Sequence, residues 1–203
     1  MNEMKCAEGL YSSQVGDNSL LFSRVFPFYV PVGAKVADVT YGKGTFWKKL
    51  DMSQWDFHKS DLMTCENRYD FRCLPYSADS FDAVIFDPPY VHDPGNMHIN
   101  PAYQNKETTK GFYHKDIINL YDQGMVEAVR VLKTSGLLFV KCMDEIESSK
   151  QKMSHIEIYD IALRLKMTCE DLFVLTRTHQ PVIQIKKQRH ARKNHSYLWV
   201  FRK

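Results

Sequence analysis

The sequence Asp-Pro-Pro-Tyr at residues 87 to 90 constrains the fold more than any other part of the chain. It directly follows an apolar run, residues 81 to 86, which predicts a buried strand. Neither proline can donate a sheet hydrogen bond and each fixes its own φ angle, so the strand must end here in a rigid, extended tip. The tip offers an acid, carbonyl acceptors and a flat ring. These groups suit a planar ligand that bears an NH2 group, such as a nucleobase.

The rest of the chain alternates short apolar strands with helix-like segments. Helical spacing of apolar residues predicts helices at 116–132 and 155–167, with a shorter helix-like stretch at 46–50. The predicted strands are 35–40, 56–60, 70–75, 81–86, 137–141, 172–177 and 196–201. Such alternation is typical of an α/β fold with a mostly parallel, seven-stranded sheet and helices on both faces. The last two strands are predicted to form an antiparallel edge hairpin.

Size and composition favour one soluble domain over residues 1–203. Hydrophobic residues make up 44% of the chain and charged residues 25%, as in ordinary globular proteins. No apolar stretch approaches the roughly 20 residues of a membrane span, and the N-terminus lacks the apolar core of an export signal. The five cysteines include no Cys-x-x-Cys pair, which favours buried, reduced thiols in the cytoplasm over disulfides or a metal site. We therefore predict a cytoplasmic protein with no metal and no membrane partner.

A glycine-rich turn follows the first predicted strand of the sheet. Glycines there allow a sharp bend and a close approach of a ligand to the backbone, but the third glycine of a dinucleotide-binding fingerprint is missing. The carboxylate of Asp38 would repel a pyrophosphate, whereas it could hold an amino group, so an amino-acid-bearing cofactor is favoured over NAD. An ordinary strand-to-helix turn is the alternative. The candidate cofactor residues of this turn are Asp38, Thr40, Tyr41, Gly42 and Gly44.

Acidic residues near two further strands complete the candidate cofactor site. Asp61 ends the second predicted strand, where an acid commonly accepts from ribose hydroxyls. Asp70 and Phe71 could flank an adenine ring, with the acid accepting from its amino group. Each has a simpler alternative: Asp61 could cap a helix or face solvent, and Phe71 could pack in the core.

The segment 186–195 is the most basic part of the chain. It holds five Lys or Arg residues, two His and no acid, although the net charge of the whole chain is only +3. Basic side chains neutralise phosphates, and His or Asn can contact base edges, so this pattern favours nucleic-acid binding over a solvated hairpin tip. The candidate contact residues are Lys187, Arg189, His190, Arg192, Lys193, Asn194 and His195.

The order of these features resembles a known enzyme family. A glycine turn, an acid about 20 residues later and Asp-Pro-Pro-Tyr after the fourth strand are similar to the S-adenosylmethionine-dependent methyltransferases that act on exocyclic amino groups of DNA bases. The resemblance covers residues 35–143 and the final strands. It implies that Asp87 and the Pro88 carbonyl accept from the target NH2, that Pro89 keeps the tip rigid, and that Tyr90 stacks on a flipped base.

The same resemblance implies the cofactor and the preferred base. The methionine part of S-adenosylmethionine would contact the glycine turn, close to Asp87. Its ribose would contact Asp61, and its adenine would contact Asp70 and Phe71. In that family, an acidic first residue of the tip is typical of enzymes that methylate adenine N6, so Asp87 favours adenine as the target. The stretch 18–26 is similar to the helix with which such enzymes hold the cofactor, and we assign residues 1–34 to that side of the molecule.

One departure from the family leaves the substrate open. Many such DNA enzymes carry a separate target-recognition domain, whereas here recognition would depend on a substrate loop at 91–115, predicted to be mobile, on the basic insert at 179–195, or on a partner. Segment 141–145, at the end of the fifth predicted strand, could also line the pocket. DNA is the favoured substrate. An RNA base methyltransferase, acting on guanine N2 or adenine N6, and a non-catalytic nucleic-acid-binding module are the alternatives.

Overall fold

A computed structural model describes residues 9–91, 113–178 and 188–203. The predicted loop at 91–115 and basic insert at 179–195 therefore lie partly outside the described residues, as does Lys187. In chain order, the helices and strands are β1 (Ser13–Val15), α1 (Asn18–Tyr29), β2 (Lys35–Asp38), 3-10 helices at Thr45–Lys49 and Met52–Gln54, β3 (Asp56–Lys59), β4 (Phe81–Phe86), α2 (His114–Val131), β5 (Leu132–Cys142), β6 (Glu145–Glu147), β7 (Lys150–Lys152), α3 (Ser154–Arg164), β8 (Thr168–Thr176) and β9 (His195–Arg202).

The main sheet has seven strands in the order β1-β8-β9-β5-β4-β2-β3. Strands β2, β3, β4 and β5 pair in parallel, and β9 runs antiparallel between β5 and β8. Because β8 is antiparallel to β9, it points the same way as β5, and β1 is parallel to β8. The predicted mostly parallel sheet with an antiparallel C-terminal hairpin is confirmed.

Two details of the sheet differ from the prediction. The segment 70–75 is a turn, not a strand, because the Asp70 carboxylate accepts from the Arg72 backbone N–H and the Asp70 carbonyl accepts from the Cys73 N–H. The seventh strand is β1, whose polar sequence Ser-Gln-Val gave no strand signal. Since β1 pairs with β8, the C-terminal hairpin does not form the edge of the sheet.

Both faces of the sheet are covered by apolar side chains. Helix α1 begins at Asp17, whose carboxylate accepts from the Leu20 N–H at 2.8 Å, and it buries Phe22 and Phe26 against the first face. The short helix after β2 packs on the same face through Trp47, whose ring lies edge-on to both phenylalanines. Helices α2 and α3 cover the opposite face with buried residues such as Tyr121.

The predicted helices form close to the predicted positions. Helix α2 starts two residues earlier than expected, and α3 ends three residues earlier. The helix-like stretch 46–50 is a 3-10 helix. Cys65 and Cys142 are buried, as predicted for structural thiols, whereas Cys73 is exposed. Within the described ranges, no helix combines the length and apolarity needed to cross a membrane.

Candidate active site

The carboxyl ends of the parallel strands bring most of the predicted site residues to one edge of the sheet. The turn after β2, the residues after β3 and the tip after β4 all lie there, because these strands run side by side in the same direction. The ends of β5 and β8 and the start of β9 lie at the same edge. Ligands of open α/β sheets bind at this edge, so it is the candidate active site.

The turn after β2 has the left-handed backbone that its glycines predict. Gly42 has a φ of 54° and Gly44 a φ of 66°, a region that side chains with a Cβ rarely adopt. A Cβ on Gly44 would also lie 2.5 Å from the Tyr41 hydroxyl oxygen. The Tyr41 ring thus packs under the turn, where it also contacts Phe57 and the Lys59 ammonium. The turn is consequently narrow, and its backbone faces the sheet edge.

Asp38, at the end of β2, is buried beneath this turn. Its carboxylate accepts from the Trp47 indole N–H at 2.7 Å and from the Thr40 N–H at 3.1 Å. Burial raises the pKa of the Asp38 carboxyl to about 7, while these two hydrogen bonds oppose the increase. Asp38 therefore fixes the short helix and the turn, and a ligand amino group would have to use its remaining lone pairs.

Asp61 joins the end of β3 to the glycine turn. One carboxylate oxygen accepts from the Gly42 N–H at 3.2 Å, and the other accepts from the N–H groups of Met63 and Thr64. The Thr64 hydroxyl donates in turn to the Gly42 carbonyl at 2.7 Å. The acid predicted to contact a ribose thus also holds the two loops that would surround it.

Asp70 and Phe71 lie in the turn that replaces the predicted strand. The Asp70 carboxylate forms a two-pronged ion pair with the Arg72 guanidinium, at 2.6 Å for the shorter contact, and this pair lowers the pKa of the Asp70 carboxyl. The Phe71 ring is buried and packs edge-on against Phe86, the last residue of β4. In this structure both side chains contribute to local packing directly behind the tip.

The tip at 87–90 is attached to the cofactor side of the site by one hydrogen bond. The Asp87 N–H donates to the Thr40 hydroxyl at 2.7 Å, so Thr40 links the two loops. The Asp87 Oδ1 atom is shielded from solvent and has no hydrogen-bond partner among the described residues. Burial raises the pKa of the Asp87 carboxyl to about 6, and the nearby Lys141 and Arg177 cations oppose that increase. Pro88 is buried, whereas Pro89 is partly exposed.

Two cations beside the tip were not assigned a role from the sequence. Lys141, near the end of β5, is only 1% exposed, and its ammonium lies 5.9 Å from the centre of the Tyr90 ring. The Arg177 guanidinium, just after β8, donates to the Tyr90 hydroxyl at 3.1 Å. The sequence placed segment 141–145 at the pocket, but only the sheet register shows that Lys141 faces Asp87. The position of Arg177 at a strand end was the only sequence signal for it.

The described part of the basic segment, 188–195, is connected to the tip through Arg177. The Asn194 carbonyl accepts from the Arg177 N–H at 2.8 Å, and Arg177 in turn holds Tyr90. His195 opens β9, and its ring contacts the Tyr197 hydroxyl at 3.0 Å. His190 contacts the Ser149 carbonyl at 2.9 Å, so the segment also lies against the β6–β7 hairpin. Arg189, Arg192 and Lys193 are carried beside the candidate active site by these contacts.

The start of helix α1 carries another shielded polar atom at this edge. The Asn18 side-chain oxygen, at the start of α1, is shielded and has no hydrogen-bond partner among the described residues. Helix α1 reaches this edge because the Gly16 N–H donates to the carbonyl of Thr176, the last residue of β8. The resemblance at 18–26 predicted a helix here, but the shielded Asn18 oxygen is visible only in three dimensions.

Comparisons with known proteins identify the fold. No family model and no curated protein matches the sequence. Among solved structures, a SAM-dependent methyltransferase from Methanosarcina mazei matches with a TM-score of 0.56 at 9% identity, over 88% of this chain and 96% of that one. A Burkholderia thailandensis 1,6-didemethyltoxoflavin-N1-methyltransferase with bound S-adenosylhomocysteine has a TM-score of 0.57 at 10% identity, over 92% and 78% of the two chains. TrmN from Thermus thermophilus has a TM-score of 0.56 at 14% identity, over 91% of this chain and 48% of that one.

These matches, together with the sheet order, define the class of the molecule. The chain has the Rossmann-like fold of class I S-adenosylmethionine-dependent methyltransferases. Sequence identity to the matched structures is low, so the particular reaction and substrate must be argued from the residues of the site.

Proposed function

We propose that this protein uses S-adenosylmethionine to methylate an exocyclic amino group of a nucleic-acid base, with adenine N6 in DNA as the first candidate. The observation that carries the proposal is the unpartnered Asp87 oxygen on the rigid tip. A buried acceptor without a partner is costly, and a ligand amino group would supply the missing donor. The hydrogen bond from the Asp87 N–H to Thr40 keeps this acceptor next to the turn where the methyl donor would lie.

The residues around the turn fit the proposed cofactor. The left-handed glycines give a ligand access to the backbone, and the orphaned Asn18 oxygen is an acceptor suited to an amino group. Asp38 and Asp61 retain lone pairs for the amino group and the ribose hydroxyls, beyond those that hold the loops. The bound cofactor would supply an electrophilic methyl group on a sulfonium centre.

The tip would act on the target amine through position and charge. An aromatic amine is a weak nucleophile because its lone pair is delocalised into the ring. Acceptance of its two hydrogens by Asp87 and the Pro88 carbonyl favours a pyramidal nitrogen, whose lone pair can point at the methyl group. The Asp87 carboxylate also stabilises the positive charge that develops on that nitrogen. Tyr90 would stack on the ring of a base that has left the duplex or is already single-stranded.

The basic segment supports a nucleic-acid substrate over a small molecule. Arg177 connects this segment to Tyr90 through its backbone contact with Asn194, so phosphates bound by Arg189 or Arg192 would run beside the tip. A free small-molecule substrate would have no use for such a run of cations. The proposed partner of this protein is therefore a DNA or RNA strand. The proposed location is the cytoplasm.

A labelling experiment tests the proposal. The protein is incubated with methyl-labelled S-adenosylmethionine and duplex DNA, single-stranded DNA or RNA, and the labelled nucleoside is identified by chromatography and mass spectrometry. We expect N6-methyladenine in DNA. Label only in RNA would reject DNA as the substrate, while binding of nucleic acid without any transfer would favour the non-catalytic alternative. Transfer to a free heterocycle but to no polymer would reject the nucleic-acid proposal.

A further inference from the structure

Lys141 and Asp87 occupy matching positions on adjacent strands. In the parallel pairing of β4 and β5, Phe86 is the partner of Val140, so the next residues along each strand are Asp87 and Lys141. Adjacent strands are about 4.8 Å apart. The two side chains therefore leave the sheet edge as neighbours, one negative and one positive.

Each of the two charged groups has an atom without a hydrogen-bond partner among the described residues. The Lys141 Nζ atom and the Asp87 Oδ1 atom are both shielded from solvent and both lack a hydrogen-bond partner among the described residues. Burial of an unpaired donor and an unpaired acceptor is unfavourable, and neighbouring opposite charges would normally close into an ion pair. The arrangement is the one expected when a ligand supplies the partners of both groups.

The chemistry of the two groups restricts that ligand. An ionised carboxylate only accepts hydrogen bonds, and a lysine ammonium only donates them. The complementary ligand edge has a donor next to an acceptor, which is the arrangement of an NH2 group beside an unprotonated ring nitrogen. Adenine presents it with N6 beside N1 or N7, cytosine with N4 beside N3, and guanine with N2 beside N3.

We infer that Lys141 is a specificity-determining residue that donates to the ring nitrogen next to the amine held by Asp87. This inference rests on the proposed function and adds to it the contact by which the site would distinguish a base with an unprotonated nitrogen beside the amine from an analogue without that nitrogen. Tyr90 lies over the Lys141 ammonium and is held by Arg177, so an incoming base must shift the Tyr90 ring to expose Nζ.

The test uses substrates that keep the amine and lose the neighbouring nitrogen. Oligonucleotides carrying adenine, 1-deazaadenine or 7-deazaadenine at the target position are compared with wild-type protein and with Lys141→Met, which keeps the side-chain volume and removes the donor. For cytosine as target, 3-deazacytosine takes the same role. We expect one analogue to lower kcat/KM in both proteins, and the loss in the wild type to be about 10- to 100-fold larger than the loss in Lys141→Met. Each lost base contact is worth roughly that factor.

The loss of kcat/KM in the wild type, divided by the loss in Lys141→Met, isolates the contribution of the contact between Lys141 and the ring nitrogen. Loss of a ring nitrogen also changes the intrinsic reactivity of the amine, but that change is common to both proteins and cancels in the ratio. Lys133→Met, at the opposite end of β5 where its ammonium pairs with Asp82, is the matched control and should keep the wild-type penalty. Thermal unfolding checks that Lys141→Met is folded.

Two results would overturn the inference in different ways. Equal penalties in the wild type and Lys141→Met would show that Lys141 does not contact the ring nitrogen, and the proposed function would stand. Absence of transfer to every nucleic acid would remove the proposed function, and the inference with it.

Discussion

Two buried charge clusters of this molecule are built in opposite ways. At the start of α2, the His114 ring contacts the Glu145 carboxylate at 2.8 Å through one nitrogen and the Glu157 carboxylate at 2.7 Å through the other. At the end of β4, by contrast, Asp87 and Lys141 each leave a shielded polar atom without a partner. The first cluster is complete within the protein and joins three elements, whereas the second is incomplete. We therefore interpret the first cluster as a support for packing and the second as the proposed contact for a ligand.

Removal of His114 should have the largest effect on stability. His114→Ala removes the ring that contacts two carboxylates, one of which, that of Glu145, is 3% exposed. We expect the free energy of unfolding to fall by about 1 to 3 kcal/mol, measured by urea denaturation, because buried hydrogen bonds are lost. Asp56→Ala is the control, because Asp56 meets His58 at the surface and its loss should cost less than about 1 kcal/mol. Equal losses in the two variants would mean that the His114 cluster does not support packing.

Removal of Asp87 should have a large effect on methyl transfer and a small effect on stability. Asp87→Ala should lower methyl transfer by about 100- to 1000-fold, as expected for a group that stabilises charge in the transition state. Cofactor affinity, measured by calorimetry, should change little, and stability should fall less than in His114→Ala because the shielded Oδ1 atom has no hydrogen bond to lose among the described residues. Asp56→Ala, at the exposed start of β3, should retain full transfer. Transfer that persisted in Asp87→Ala would exclude Asp87 as the amine acceptor.

The pH dependence of transfer should report the ionisation of Asp87. Burial raises the pKa of this carboxyl to about 6, so the charged acceptor is present above that pH and is lost as the pH falls through it. We expect kcat/KM to decline below about pH 6, by up to tenfold per unit. In Asp87→Asn this inflection should be absent and the remaining activity low. The Asp38 carboxyl, with a pKa raised to about 7, would titrate in both proteins, so an inflection that survives in Asp87→Asn belongs elsewhere.

The smallest expected effect concerns the basic segment. Arg189→Ala combined with Arg192→Ala should weaken nucleic-acid binding and reduce the slope of log affinity against log salt by about 2, one for each lost phosphate contact. Binding would be measured by fluorescence anisotropy at several salt concentrations. Lys133→Ala with Lys166→Ala, which removes the same charge far from the tip, should leave the slope unchanged. Equal slopes in all three proteins would favour a solvated hairpin over a nucleic-acid contact.

The sequence predicted best those helices and strands that bury a continuous apolar face. Apolar periodicity gave β4, α2, α3 and the final hairpin, because each buries a continuous face and burial imposes the period of the element. It failed for 70–75 and for β1. Residues 70–75 alternate like a strand, but the local bonds of Asp70 to the following backbone favour a turn. The strand β1 has no apolar pattern and exists because β8 offers it an open edge.

The sequence predicted the two loops of the candidate site but not the two cations beside them. Prolines and glycines act on their own backbone, so the rigid tip and the left-handed turn could be located from local sequence alone. Lys141 and Arg177 could not be assigned in that way, because a lysine or arginine at a strand end has many possible environments. Their role depends on which strands become neighbours and in what register.

By itself, the sequence determined the strand that ends in Asp-Pro-Pro-Tyr, the glycine turn, the α/β class and the basic segment near residue 190. All four follow from the backbone restrictions, the hydrophobic period or the local charge, which act over a few residues. Only the tertiary structure decided that Thr40 holds the tip, that Arg177 joins it to the basic segment, and that Asp87 and Lys141 become neighbours, each with an atom that has no hydrogen-bond partner among the described residues. These relations connect residues that are distant in the chain, and they arise because parallel strands bring their carboxyl ends to one edge of the sheet.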